Sequence, residues 1–486
     1  MSKSLNPNSN APDSSCGIGS IAVAYHQLLT ERPGSLASEA GGELQWLAEA
    51  RERAFKRWHE EGLPTRKSEE WKYTSVSAIA EARVSLPPPA KKAKLDLSQG
   101  LPPFIDAEAE FVFVDGVFMP ELSRRSSTKG LSFEVLSEVV AECVEGGWNS
   151  ERRQRIAGFR AHLESSDADR ETVFAAINTS FMQDVALIHV EANVLVKKPV
   201  VITHLATCKK LEPAPSHLPM LSPRLFASVD KRAEVTVLER FCAQGAGRYL
   251  TNAVSDLRVA EGGRLSYSQL QTESEEAEAF HIGTTRVRQG RDSATEAFQF
   301  SLGAGLSRQD LHVSLEGEGA ETVVDGLYMV QGAQHVDNHT VIEHVVANTA
   351  SEQIYKGVLA DQARAVFNGK IHIHQGAQKS NAAQLNNNLV LSPKAEVDTK
   401  PELEIYADDV KASHGATIGQ IDPDHVFYLE SRAIAHDEAV KLLARGYAMD
   451  VVYRLKAANL HRILAAAVDA KFEAMHVAEL ARERSK

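Results

Sequence analysis

Between about Val185 and Gln420 the chain is a long series of short β-forming runs with no helix-length pattern among them. That run limits the possible folds more than any other feature. ALIHV, VVITHL, LFASV, EVTVLERF, SDLRVAEGGRLSYSQLQ and their successors are separated by glycine and polar residues at fairly regular intervals. Alternation inside each run implies one inward face, and the lack of intervening helices of ten or more residues excludes Rossmann and TIM arrangements. The segment is also self-similar. Gln-Gly-Ala-Gln occurs at 331–334 and again at 375–378, and Val259-x-x-Gly262, Val287-x-x-Gly290 and Ile373-x-x-Gly376 repeat one strand–turn phrase. Such repetition suits a solenoid whose coils stack on one another, although the period is not strict. On the residues alone, a parallel β-helix and a β-sandwich of similar strand content both remain open.

The flanks read differently. The first ~20 residues are rich in Ser, Asn and Pro and are expected to be a disordered tail. Leu44, Leu47, Ala54, Phe55 and Trp58 recur near helical spacing until Gly62 and Pro64 end the pattern. PPPAKKAKLDLSQGL, from Pro87 to Leu101, reads as a linker or exposed loop. A strand is expected at Phe111 to Val114, with a hairpin turn at Asp115–Gly116 into Val117 and Phe118. Helical patterning then returns at 135–144 and 152–163, and at the far end Val440, Leu443, Tyr447, Val451 and Leu455 mark one helix face. The expected organisation is a tail at 1–20, a mostly helical region with a short hairpin at 21–184, a β core at 185–423, and a helical partner-binding domain at 424–486.

With 486 residues and 43% hydrophobic content the chain can bury a large core. No apolar run approaches the roughly 18 residues of a membrane span, and the amino terminus lacks a secretory hydrophobic segment, so a cytoplasmic, soluble protein is expected. The net charge of −12 and the lack of a basic stripe argue against nucleic acid. No G-x-x-x-x-G-K-[ST] loop, G-x-S-x-G elbow or H-E-x-x-H helix is present, so neither an ATPase, a serine hydrolase nor a zincin is supported. Strict hexapeptide repeats and grooves of clustered charge, which β-helical acyltransferases and polysaccharide lyases require, are not found either.

Cys16, Cys143, Cys208 and Cys242 form no CxxC pair and read as reduced thiols, with burial as small hydrophobes the ordinary role for Cys208 and Cys242. His335, Asp337 and His339 form an H-x-D-x-H run that shares one strand face and is therefore a candidate metal site; His344 follows, and His372 and His374 make a second pair. The alternative is a polar ladder on the outer face of a solenoid. A stand-alone metal-binding protein built on this histidine ladder is the competing functional expectation.

DTKPELEIYADDVKASHGATIG (Asp398 to Gly419), with a turn expected at Gly415, and FYLESRAIAHDEAVKLLARGYAMDVV after it resemble the carboxy-terminal core of the SufB/SufD family of iron–sulfur cluster assembly scaffolds. EEWKYT at 69–74 and FAAINTSFMQD at 174–184 are similar to elements of its amino-terminal part. The resemblance implies a right-handed parallel β-helix core flanked by N-terminal and C-terminal helical regions. It further implies that Trp71 and Tyr73 are packing anchors. The motif Ser413-His414-Gly415-Ala416-Thr417 would lie at the interface with a SufB-like scaffold, where His414 either helps hold a transient iron–sulfur cluster or hydrogen-bonds across the junction. The helices at 424–455, with Val440, Leu443 and Tyr447 as docking candidates, would bind a SufC-like ABC ATPase, which hydrolyses the ATP; this chain itself would be a non-catalytic scaffold. Many relatives of the SufD branch carry cysteine two residues before the histidine, where this chain has Ala412. No cysteine follows Cys242, so the chain resembles SufD, the partner lacking the sulfur-accepting thiol. The residues leave open whether flavin binds the assembled complex.

Overall fold

The computed structural model describes residues 18–31, 44–86, 106–146, 149–165, 172–207, 217–245, 247–273 and 279–475, and in it the β-forming run becomes two stacked parallel sheets. Cys16, Cys208, the Pro87–Leu101 segment and residues 476–486 lie outside the described residues. So does the expected tail, except that residues 18–20 already belong to a helix.

The helices are α1 (Ile18–Glu31), α2 (Gln45–Glu61), α3 (Ser77–Ala80), α4 (Leu136–Gly146), α5 (Ser150–Glu164), α6 (Val173–Phe181), α7 (Pro423–Glu430), α8 (His436–Arg454) and α9 (Ala458–Ala474). The first strands are β1 (Arg83–Ser85), β2 (Ala109–Val114), β3 (Val117–Phe118), β4 (Leu131–Val135), β5 (Val185–Val190), β6 (Val200–Ala206), β7 (His217–Leu221) and β8 (Arg224–Val229). Then follow β9 (Glu234–Ala243), β10 (Tyr249–Val259), β11 (Arg264–Thr272), β12 (Ala279–Gln289), β13 (Ala294–Ser301), β14 (Leu306–Leu315) and β15 (Glu321–Val330). The last six are β16 (His335–His344), β17 (Ala350–Leu359), β18 (Arg364–Ile373), β19 (Asn381–Val390), β20 (Glu396–Ile405) and β21 (Lys411–Gly419).

Each strand from β9 onward pairs in parallel with the strand two places later, giving the orders β20-β18-β16-β14-β12-β10-β8-β5-β4 and β21-β19-β17-β15-β13-β11-β9-β6-β2-β3. This is a parallel β-helix of about six turns. Parallel pairing of every strand from β6 to β21 excludes the sandwich, whose sheets are antiparallel. The antiparallel pairs are β4 with β5 and the hairpin of β2 and β3, whose turn residues Asp115 and Gly116 both take positive φ (50° and 82°) as a two-residue hairpin requires.

The coil corner explains why the repeat is loose in sequence. Asn193, Arg232, Gly262, Asp292, Gly319, Asn348 and Lys379 occupy the same corner in successive coils, all at positive φ. Each donates its backbone N–H to the coil above: Gly262 to Arg291 O at 2.8 Å, Asp292 to Glu318 O at 2.9 Å, Asn348 to Gln378 O at 2.9 Å. Only two of the seven are glycine; the stacked hydrogen bonds hold the others in a region that L side chains occupy at some cost.

Alternate residues of each strand fill the interior, with Val237, Leu265, Val287, Val313, Val324, Ile342 and Ile371 in one continuous apolar cluster. Two pairs interlock across adjacent coils. Gly326 lies opposite Tyr355, and Tyr328 opposite Gly357. A Cβ on Gly326 would fall 2.2 Å from the Tyr355 ring, and one on Gly357 would fall 2.2 Å from the Tyr328 ring, so each glycine makes room for the other coil's aromatic.

Outside the solenoid, α2 ends at Gly62, which takes φ +78° and returns its N–H to Trp58 O at 3.0 Å. The C-terminal helices pack on the outer face of the second sheet, where Leu238, Leu270, Phe298, Leu327 and Val358 meet Ala439, Ala444, Ala448 and Val451. Arg454 reaches the buried Asp325 at 2.7 Å and Glu352 at 2.9 Å, and Lys356 reaches Asp450 at 2.7 Å.

Candidate functional site

The sites expected from sequence fall in two places, one covered and one open. His335, Asp337 and His339 do share the outward face of β16, but the amino-terminal segment lies across them. Arg308 of β14, 1% exposed, donates to Asp337 Oδ2 at 2.8 Å and to Asp310 Oδ1 at 2.8 Å, and its Nη1 is 3.1 Å from His339 Nε2. The same guanidinium donates to Glu70 O at 2.7 Å and stacks 3.8 Å from the Trp71 ring centroid. Thr74 completes the cover, its hydroxyl 2.9 Å from His335 Nε2 and donating to Asp337.

The place where a cation would bind between these histidines is thus taken by a guanidinium. Burial works to raise the Asp337 pKa, but Arg308 and then His339 outweigh it and hold the carboxylate below the ordinary range. Among the described residues, no three or more His, Cys, Asp or Glu side chains are arranged to hold a metal ion. Nor is the run an open polar ladder: Asp337 is 1% exposed because EEWKYT is docked on it. Trp71 is buried there, and Tyr73 is half-buried beside it.

The other histidines and the described cysteine are accounted for by packing. His344 points into the solenoid and bonds Thr349 Oγ1 at 2.8 Å and Ser351 Oγ at 2.9 Å; burial lowers its pKa to about 4. His372 meets Glu404 at 2.8 Å, and its ring lies 4.3 Å from that of His374. Cys242 is buried among Val112, Val114, Met119 and Leu205, where burial pushes its thiol up to about 12.

His414 is placed differently. Residues 411–419 form one continuous strand, so Gly415 does not make the expected turn; it sits mid-strand opposite Leu385, whose Cδ1 a Cβ would approach to 3.2 Å. Ala412, His414, Ala416 and Ile418 share the inward face, in register with Ala382, Gln384, Asn386 and Asn388 of β19. No coil follows, so Ala412 packs on the core from one side only, and His414, Ala416 and Thr417 are exposed. Ser413 is exposed on the opposite face.

This end is apolar and unfinished. β20 and β21 terminate the two sheets, and Ile405 (41% exposed), Tyr406 (62%) and Ile418 (55%) stand in solvent around them. The two edges differ in how far they are blunted. β20 carries Glu396, Asp398, Lys400, Pro401, Glu402 and Glu404, whereas β21 has Lys411 as its one Asp, Glu, Lys or Arg and contains no proline. Charges and proline are what keep an edge strand from pairing, so β21 is the edge left open.

The docking residues expected on the last helices need correction. Val440 is buried, and Leu443 and Tyr447 are half-buried against the cluster that fastens the helices to the solenoid; Lys356 Nζ lies 4.5 Å from the Tyr447 ring centroid. The spacing that marked them is that of the inward face of α8. The apolar residues these helices present to solvent are Phe427 (69% exposed), Tyr428, Leu442 and Tyr453. Sequence reasoning missed them because isolated apolar residues on the polar face carry no period. Among the described residues, no helix is long and apolar enough to cross a membrane.

Comparison with known proteins gives the family. The family model for the SUF system FeS cluster assembly SufBD core domain matches residues 213–447, and that for the SufBD protein N-terminal region matches residues 20–202. The chain is 32% identical over 409 residues to an iron–sulfur cluster assembly SufBD family protein of Synechocystis sp., covering 82% of this chain and 85% of that one. It is 31% identical over 396 residues to the iron–sulfur cluster assembly protein SufD of Escherichia coli, covering 81% and 86%. With SufD of Bacillus subtilis it shares 24% identity over 440 residues, covering 89% and 96%.

Proposed function

We propose that this chain, which belongs to the SufBD family of iron–sulfur cluster assembly proteins, is the SufD-type scaffold of a complex that builds such clusters with a SufB-like scaffold and a SufC-like ABC ATPase. The observation that carries the reading is the open end of the solenoid, where an unblunted strand, three exposed apolar side chains and an accessible imidazole lie together. A second β-helix ending in the same way would cover it, pairing with the β21 edge and withdrawing Ile405, Tyr406 and Ile418 from water.

His414 then lies in the shared interface, where a neutral imidazole can ligate iron of the nascent cluster. Ala412 supplies no thiolate, so sulfur has to come from the partner scaffold. The ATPase docks on the C-terminal helices through Phe427, Tyr428, Leu442 and Tyr453, and its nucleotide-driven movement shifts the scaffolds against each other. The chain contributes shape, an interface and one ligand, with no turnover of its own. It works in the cytoplasm, with a solenoid that takes its first strands, β2 to β4, from the amino-terminal region and is followed by the helices from Pro423 onward.

Co-purification of the tagged chain with the SufB-like and SufC-like proteins of the same organism, followed by mass determination of the intact assembly, tests the reading. Recovery of one copy of each scaffold with two ATPases is expected, and a well-folded chain that recruits neither partner would refute it. Within that complex, His414→Ala is expected to leave assembly intact and to lower cluster formation, followed anaerobically by visible absorption and iron content. Normal cluster yield in the variant would remove the ligand role.

A further inference from the structure

The interior behind His414 is polar, and Tyr355, Gln299 and Gln384 donate from later coils to earlier ones, away from the open end. Tyr355 donates to Gln299 Oε1 at 2.7 Å, and Gln299 Nε2 to Gln269 Oε1 at 3.2 Å. Closer to the mouth, the Thr340 hydroxyl donates to Gln353 Oε1 at 3.2 Å, and Gln384 Nε2 donates to the same oxygen at 3.0 Å. Gln353 is the residue paired with Gln384 on the neighbouring strand of the same sheet, and the Gln384 amide lies in interior space left by Gly369 of the facing sheet, where a Cβ would fall 1.7 Å from its Nε2.

Because its amide nitrogen is committed in this way, Gln384 turns its oxygen elsewhere. That Oε1 is buried without a hydrogen-bond partner, in a side chain only 4% exposed. The residue directly opposite on the same face of the next strand is His414. Paired positions on neighbouring strands hold their side chains about 5 Å apart, within reach of an imidazole N–H. A buried acceptor left unpaired is costly, and an imidazole that ligates a metal through one nitrogen ordinarily donates the other N–H to such an acceptor.

We propose that Gln384 is the positioning residue for His414: its Oε1 accepts one imidazole N–H, which fixes the tautomer and turns the other nitrogen out of the mouth as the free electron-pair donor. Thr340 and Gln353 hold Gln384 in that orientation. The proposal rests on the reading of His414 as the ligand-bearing residue, but the hydrogen bond itself is measurable without any cluster.

The test is ring ¹⁵N NMR of the full chain at pH 8, with His414→Ala to assign the signal, followed by anaerobic cluster yield in the reconstituted complex. In the unmodified chain His414 is expected in one dominant tautomer. Gln384→Leu should give the mixture of a free imidazole and a several-fold lower cluster yield with the complex still assembled, and Gln384→Glu, which keeps an acceptor, should restore both. An unchanged tautomer in Gln384→Leu overturns the hydrogen bond. A changed tautomer with normal cluster yield overturns instead the ligand reading of His414, and the positioning role falls with it. Should the leucine variant not fold, Gln384→Glu decides alone: a mixed tautomer there overturns the proposal.

Discussion

The early coils and the last coil are built from strands paired in parallel in the same way, yet β10 is buried along nearly all of its eleven residues while β21 is exposed along most of its nine. The outer face of β10 is covered: Asn252 donates to Phe174 O at 2.9 Å, and Asp256 is held by Arg224 and Arg286, both at 2.7 Å. Among the described residues, the cover reaches β20 only through the ion pair of Lys400 with the exposed Glu69 at 3.1 Å, and β21 stays exposed. The contrast teaches that propensity sets the coil and cover sets its role: a covered coil holds buried ion pairs, an uncovered one presents an edge.

The sharpest attempt to break that contrast is Arg308→Leu. It removes the guanidinium from the buried Asp337, which keeps only Thr74 and His339 beside it, and the chain should lose about 3–5 kcal/mol of stability in denaturant unfolding, with most of it recovered in the Arg308→Leu/Asp337→Leu double variant. A loss under 1 kcal/mol would mean that the EEWKYT cover is not what stabilises these coils. Acid offers a second test. His344 titrates near 6.5 when unfolded and about 4 when folded, so the folded chain prefers the neutral ring. Its contribution is complete above pH 6.5 and disappears as pH falls from about 6.5 to 4, a loss of about 3 kcal/mol that His344→Gln should flatten in pH-dependent unfolding. At the open end the expected change in stability is the smallest. Ile418→Asp should alter unfolding by no more than about 0.5 kcal/mol, yet abolish capture of the SufB-like scaffold. Equal destabilisation by Ile418→Asp and Arg308→Leu would erase the distinction between the two regions.

Legibility in the sequence followed the same division. The alternation of β9 to β21 and the absence of helices among them were enough for a stacked-strand architecture, and the SHGAT resemblance drew attention to the strand that closes the fold. The corner was hidden because five of its seven left-handed positions carry Asn, Asp, Arg or Lys in place of glycine. Gln-Gly-Ala-Gln misled in a smaller way: its two copies follow β15 and β18, strands of opposite sheets, so they are similar turns at different corners. The H-x-D-x-H run looked like a metal site because its neutraliser is remote: Arg308 lies 29 residues before Asp337, and Thr74 lies 263 before it. Arg308 meets Asp337 through the register of successive coils and Thr74 through docking of the amino-terminal cover, and no local pattern encodes either.

The exchange of Tyr328 and Tyr355 for each other's glycines bears on how such a molecule can change over generations. A gene segment encoding just one of these two coils, copied in tandem, would set ring against ring and gap against gap at the new junction. Here coils can be added only in pairs, so the distance from the covered end to the open one grows at this point by two coils at a time.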